Sequence, residues 1–237
     1  MRAARRLIIA LVILLGLLAA ADRIAVGVAE SKVADRLQSD RGLSRKPSVG
    51  IEGFPFLTQL AGGSLDHVTV HATDMVLQDD GGQSVTVSDF RADLRDVKLE
   101  DDYSTAVAGS ATGTALISYA ELSSVLPNHP AVSYAGNGRV HASVQVPVLS
   151  RQVSGTAGLD FKGDAIGLTG VGDLSGLSGI PGLSGSVAAG LVSQYLGARF
   201  QLSGLPEGLE VTGVQAVPDG VSVSVAGSGV SLTGTAG

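Results

Sequence analysis

The chain has 237 residues, of which 44% are hydrophobic, with 33 glycines, no cysteine, no tryptophan and a formal net charge of −6. That is enough apolar material for one sizeable core, and Val-rich alternation broken by Gly, Ser and Thr favours sheet over a helix bundle. The missing cysteines exclude disulfides, thiolate nucleophiles, cysteine-ligated zinc and a lipoprotein-type anchor, and the acidic balance speaks against a nucleic-acid groove, which needs Lys and Arg against phosphates.

Arg2, Arg5 and Arg6 precede an uncharged run from Leu7 to Ala21, the layout of a signal peptide or membrane anchor over residues 1–21. Fifteen helical residues span about 22 Å, short of the ~30 Å hydrocarbon core unless the helix continues past Asp22. Ala19-Ala20-Ala21 also fits a small-x-small cleavage site, so cleaved signal and retained anchor both stay open. In either case the arginines remain in the cytoplasm, and residues 22–237 are exported as a single α+β domain. Without the three leader arginines that part carries thirteen basic and twenty-two acidic residues, so its lipid contacts have to be local and mainly apolar.

From Asp22 to about Arg41 the pattern predicts an amphipathic helix with Val26, Ala29, Val33 and Leu37 on its apolar stripe. The next stretch, Gly50 to Gly63, sets Phe54, Phe56, Leu57 and Leu60 around Pro55. Pro55 lacks a backbone donor and pushes Phe54 towards extended geometry, so this is a bent apolar corner. Two readings fit it: a plug at the end of a core, or a greasy lip at the mouth of a lipid-holding cavity.

A period of two then takes over. Val68, Val70 and Ala72 alternate with polar neighbours, Asp79-Asp80-Gly81-Gly82 supplies a hairpin turn, and Val85 and Val87 begin the return strand. A further strand runs through Val97 and Leu99, and another from Thr105 to Ser118. Ser118 to Leu126 reads as a short helix capped by Ser118 and Glu121, with Tyr119, Leu122, Val125 and Leu126 on its apolar side. Strands follow through Val140 to Val146, Val153 to Phe161 and Ile166 to Leu168. Their inward positions are small, which either lets a helix approach closely or leaves a hollow. Gly170 to Gly185 reads as a Gly/Ser-rich loop, Ser186 to Leu196 as a helix with Leu191 and Tyr195 on one side, and Phe200 to Leu202, Leu209 to Val217 and Val221 to Val225 as closing strands. Pro218-Asp219-Gly220 turns the last pair.

Little here supports catalysis. His67 and His71 are four apart, but on a strand that separates them by about 13 Å, too far to share a metal ion. No nucleophile elbow, phosphate loop or dinucleotide fingerprint is present, and no cofactor is expected.

The corner Gly53-Phe54-Pro55-Phe56-Leu57-Thr58-Gln59-Leu60, the segment Ile117 to Leu122, and the closing Gly204-Leu205-Pro206-Glu207-Gly208-Leu209 with Val217 to Val221 together resemble the LmeA-like phospholipid-binding family of actinobacterial envelopes. The resemblance implies an extracytoplasmic, non-enzymatic protein that binds phospholipids, including phosphoinositides. In mycobacteria it implies support for elongation of the mannan chain of lipomannan, with envelope-biosynthesis proteins as partners. By analogy with tubular lipid-binding folds, the expected architecture is a strongly curved antiparallel sheet wrapped around amphipathic helices. The expected lipid-binding residues are Phe54, Phe56, Leu57, Leu60, Tyr119, Leu122, Leu126, Leu191 and Tyr195, at the outer face of the cytoplasmic membrane. The alternative is an envelope scaffold that binds a protein partner and holds no lipid.

Overall fold

A computed structural model describes residues 2–40, 42–78, 84–100, 105–126, 128–146, 151–163, 165–176, 200–201 and 205–232. The apolar leader and the helix after it are one element: α1 runs without a break over Arg2–Asp40. Its first half is bare, with Leu7, Val12 and Leu17 at 60–70% exposure, and the helix is long and apolar enough to cross a membrane. Its second half lies on the domain. Val26 and Ala34 are buried and Ala25, Ala29 and Leu37 partly so, whereas Val33, expected on the stripe, is exposed. The 3.6-residue pitch carries the buried face from Val26 through Glu30 to Ala34, one position past Val33.

The remaining elements are β1 (Ser48–Glu52), α2 (Phe56–Ala61), β2 (Ser64–Gln78), β3 (Ser84–Glu100), β4 (Thr105–Ile117), α3 (Tyr119–Val125), β5 (Ala131–Gly136), β6 (Arg139–Val146), β7 (Arg151–Lys162), β8 (Ala165–Ser175), β9 (Phe200–Gln201), β10 (Leu209–Val217) and β11 (Gly220–Ser231). They form two antiparallel sheets, one of six strands in the order β1-β2-β3-β4-β11-β10 and one of five in the order β5-β6-β7-β8-β9. This corrects the expectation of one sheet wrapped around helices: there are two sheets, and neither closes on itself among the described residues.

Other expectations shift in detail. The two strands expected around Val85 and Val97 are one, the 17-residue β3. Its alternation is disturbed by a bulge between Val87 and Asp89 and by Asp96 at a φ of 52°, so Leu94 and Val97 are both buried although three apart. The first part of the expected Gly/Ser-rich loop is strand, because β8 extends to Ser175, and its remainder from 177 lies outside the described residues. The last strand, β11, reaches Ser231 and pairs along almost all of β4. The Asp79 to Gly82 turn and the helix expected over Ser186 to Leu196, with Leu191 and Tyr195, lie outside the described residues.

One face of the six-stranded sheet is apolar, covered by α1 and α2 over one part and by α3 and the second sheet over another; the other carries polar side chains. On the polar face His67 sits between two carboxylates, with Nδ1 2.9 Å from Glu52 of β1 and Nε2 2.6 Å from Asp93 of β3. His71 meets Asp89 at 2.9 Å. The histidines are thus engaged separately, and among the described residues no group of three potential ligands could hold a metal ion. The sheets meet where β10 packs on β5, β6 and β7. Val140, Ala157 and Ala216 are at most 1% exposed there. Small side chains in these strands therefore let a second sheet, rather than a helix, approach closely.

Two predictions follow from this packing. Phe56, 3% exposed, belongs to the core beneath α1, while Phe54 is 63% exposed. Phe56→Ala should cost about 3–5 kcal/mol in urea unfolding followed by circular dichroism, and Phe54→Ala no more than about 1 kcal/mol. The hydrogen bond to Asp93, helped by Glu52, raises the pKa of His67 above its ordinary 6.5. The folded state then holds this proton more tightly, so its stabilisation is complete below pH 6.5 and is lost as pH rises through the raised value. A pH series of urea midpoints should fall across that window, and His67→Gln should flatten the slope.

Candidate functional site

The expected site residues divide between two places. At the corner, Gly53 adopts a φ of 105°, and a Cβ there would run into the Gln59 side-chain amide and come within 2.9 Å of Asp66. Only glycine fits such a position. Gln59 in turn accepts from the Asp66 backbone N–H at 2.8 Å, which ties α2 to β2. The Phe54–Pro55 peptide is cis. Phe56 points into the core shared by α1, β1 to β4 and β11, and Leu60 is partly buried against it. Phe54 and Leu57, at 63% and 45% exposure, face out. Phe56 and Leu60 thus sit as the plug reading has them, while Phe54 and Leu57 are exposed and border no described pocket.

α1 holds this corner through two charged residues at the end of the apolar run. Asp22 is 2% exposed, and its Oδ1 accepts the backbone N–H of Leu57 at 2.8 Å, capping the first turn of α2, whose leading N–H groups have no partner inside the helix. Arg23 pairs with Asp22 at 2.8 Å, donates to the Gly53 carbonyl at 3.1 Å and stands 5.3 Å from the centre of the Phe54 ring. Further along α1, Glu30 accepts from the Ile51 backbone N–H at 2.8 Å and fixes the helix to β1.

The second place is around α3. Ser118 caps this helix, its Oγ accepting from Glu121 N–H at 3.2 Å as the sequence predicts. The Glu121 carboxylate then accepts from the Thr86 backbone N–H at 2.6 Å, and the Tyr119 hydroxyl donates to the Val217 carbonyl at 2.7 Å. Burial raises the Tyr119 pKa, so the phenol stays protonated and able to donate. Between this pinned helix and the two sheets lies an apolar pocket lined by Ile117, Leu122, Leu126, Leu159, Ile166, Gly167, Leu168 and Val221. Its enclosed volume is about 30 Å³, room for a group or two of water or methyl size, and only the open space at its mouth brings the total to about 420 Å³. Its lining contains no titratable side chain.

Leu122 and Leu126 therefore line the pocket, Tyr119 braces it, and Phe54, Phe56, Leu57 and Leu60 do not reach it. From Ala108, in the core beside Phe56, to Ile117 at the pocket, β4 covers nine residue steps, about 30 Å. The corner and α3 are thus not brought together as one entrance. Sequence reasoning missed Asp22 and Arg23, although an acid and a base directly after an uncharged run were a usable signal. It also missed Leu159, Ile166, Leu168 and Val221 as pocket residues, because their convergence depends on how two sheets pack.

No curated protein and no solved structure matches this chain. Residues 20–226 match the LmeA-like phospholipid-binding family, a span that takes in α1 from the end of its apolar run, the corner, α3, the pocket and most of β11. The chain belongs to the LmeA-like phospholipid-binding family.

Proposed function

We propose that this protein is a non-enzymatic phospholipid carrier of the cell envelope that takes an acyl chain into the pocket beside α3. The observation that carries this reading is the pocket's lining, which is apolar on all sides and contributed by α3, β4, β7, β8 and β11. Such a wall can contact a methylene chain and offers nothing to polarise a scissile bond. Each methylene that leaves water for such a wall gains about 0.8 kcal/mol, yet moves there from a bilayer at nearly even free energy. Exchange with a membrane therefore needs no energy source.

In this reading the apolar half of α1 holds the domain at the outer face of the cytoplasmic membrane, with Arg5 and Arg6 on the cytoplasmic side. A phosphoinositide as the bound lipid and lipoglycan assembly with envelope-biosynthesis proteins as the setting extend the same reading through the family's resemblance.

The test uses the full chain in vesicles containing a phospholipid with a photoactivatable acyl chain. Covalent label should appear on peptides covering 117–126 and 159–168. Leu122→Glu should lower that label about tenfold or more, because an unpaired carboxylate in an apolar site costs several kcal/mol. Label confined to residues 4–21, or capture of one protein partner with no lipid in the pocket, would instead establish the scaffold reading.

A further inference from the structure

The exposed side of the Phe54 corner is unexplained by the pocket, which is about 30 Å away along β4. We infer that Phe54 and Leu57 are an interfacial foot that inserts into the headgroup layer of the same bilayer that the apolar half of α1 enters, with Arg23 at the level of the lipid phosphates. The inference rests on the reading of α1 as a membrane helix and adds a second, separate contact to it.

Height is the argument. The apolar run ends at Ala21, and one helical residue advances only about 1.5 Å. Asp22 is the next residue, and the Leu57 backbone N–H lies 2.8 Å from its carboxylate. Leu57 is therefore fixed at the depth where α1 leaves its apolar stretch, with its own side chain 45% exposed. Arg23 sets Phe54 at the same level, holding the Gly53 carbonyl at 3.1 Å and the Phe54 ring at 5.3 Å. Ile24, 69% exposed on α1, adds an apolar side chain at that level.

This apolar patch continues the surface of the leader helix, where Leu14, Leu17 and Leu18 are all more than half exposed. A patch continuous with a membrane helix and level with its end meets lipid first. The chemistry suits that boundary, since aromatic rings favour the headgroup level and an arginine can lay its stem on apolar atoms while its guanidinium reaches phosphate. The net acidic charge of the domain makes the apolar side chains, rather than general attraction to anionic lipid, the holding contact.

The native chain has no cysteine, so one introduced thiol can be labelled alone. Phe54→Cys, Leu57→Cys and, as a control on the exposed side of β5, Ser133→Cys are each labelled with a polarity-sensitive fluorophore in the full chain and reconstituted into vesicles of phosphatidylcholine and phosphatidylglycerol. At positions 54 and 57 the emission should shift to the blue. It should also lose most of its intensity to a nitroxide placed shallowly in the acyl chain and resist aqueous iodide. The label at position 133 should do the opposite. The two corner positions check each other should one substitution disturb the fold. Corner labels quenched by iodide while the chain floats with the vesicles would overturn the foot and leave the pocket reading standing. Labels shielded from both quenchers would also overturn it, by showing a protein occupant. Failure of the chain to float would overturn the foot and the anchoring together, whereas loss of pocket photolabelling with quenched corner labels would sink the pocket alone.

Discussion

The arrangement depends on one buried carboxylate. Asp22 is the only buried charged residue among those described, and a carboxylate withdrawn from water is tolerated only when its lone pairs are used. Here they are used by the backbone of a different element and by Arg23. The constraint joins the end of an apolar helix to the start of α2, so the corner cannot move independently of α1. Phe56 then enters the core from a fixed position, and Phe54 is left outside because its neighbours on both sides are already placed.

At the other end, small side chains set the geometry. Alanine at positions 157 and 216, with Val140 between the sheets, lets β10 come close to the five-stranded sheet, so this region is filled by backbone proximity rather than by rings. Space remains where α3 props the sheets, because Glu121 and Tyr119 hold that helix to backbone groups of β3 and β10 at two points. The pocket is thus a by-product of bracing: its leucines and isoleucines have α3 as a wall and cannot collapse onto one another.

Much of this was legible from local chemistry. The apolar run, the cap pair Ser118 and Glu121, the bend at Pro55 and the paired strands around Pro218-Asp219-Gly220 each follow from rules that act over a few residues. What was not legible required information from elsewhere in the chain. Val33 is the more apolar of the Val33-Ala34 pair, and only the pitch measured from the buried Asp22 and Val26 shows that Ala34 faces the domain. A left-handed Asp96 inside β3 changes which face its neighbours use, and alternation alone read the element as two strands. Whether two rings flanking a proline share a fate depends on the partner that covers them: α1 covers Phe56 and leaves Phe54 bare.

The unbroken course of α1 has a mechanical consequence. Its apolar half and its docked half are one rod with no hinge at residue 22, and a rod transmits torque. Rolling or leaning of the first twenty residues must swing the whole β-rich body by the same angle, so the attitude of the pocket mouth is geared to the tilt of a helix that never touches it.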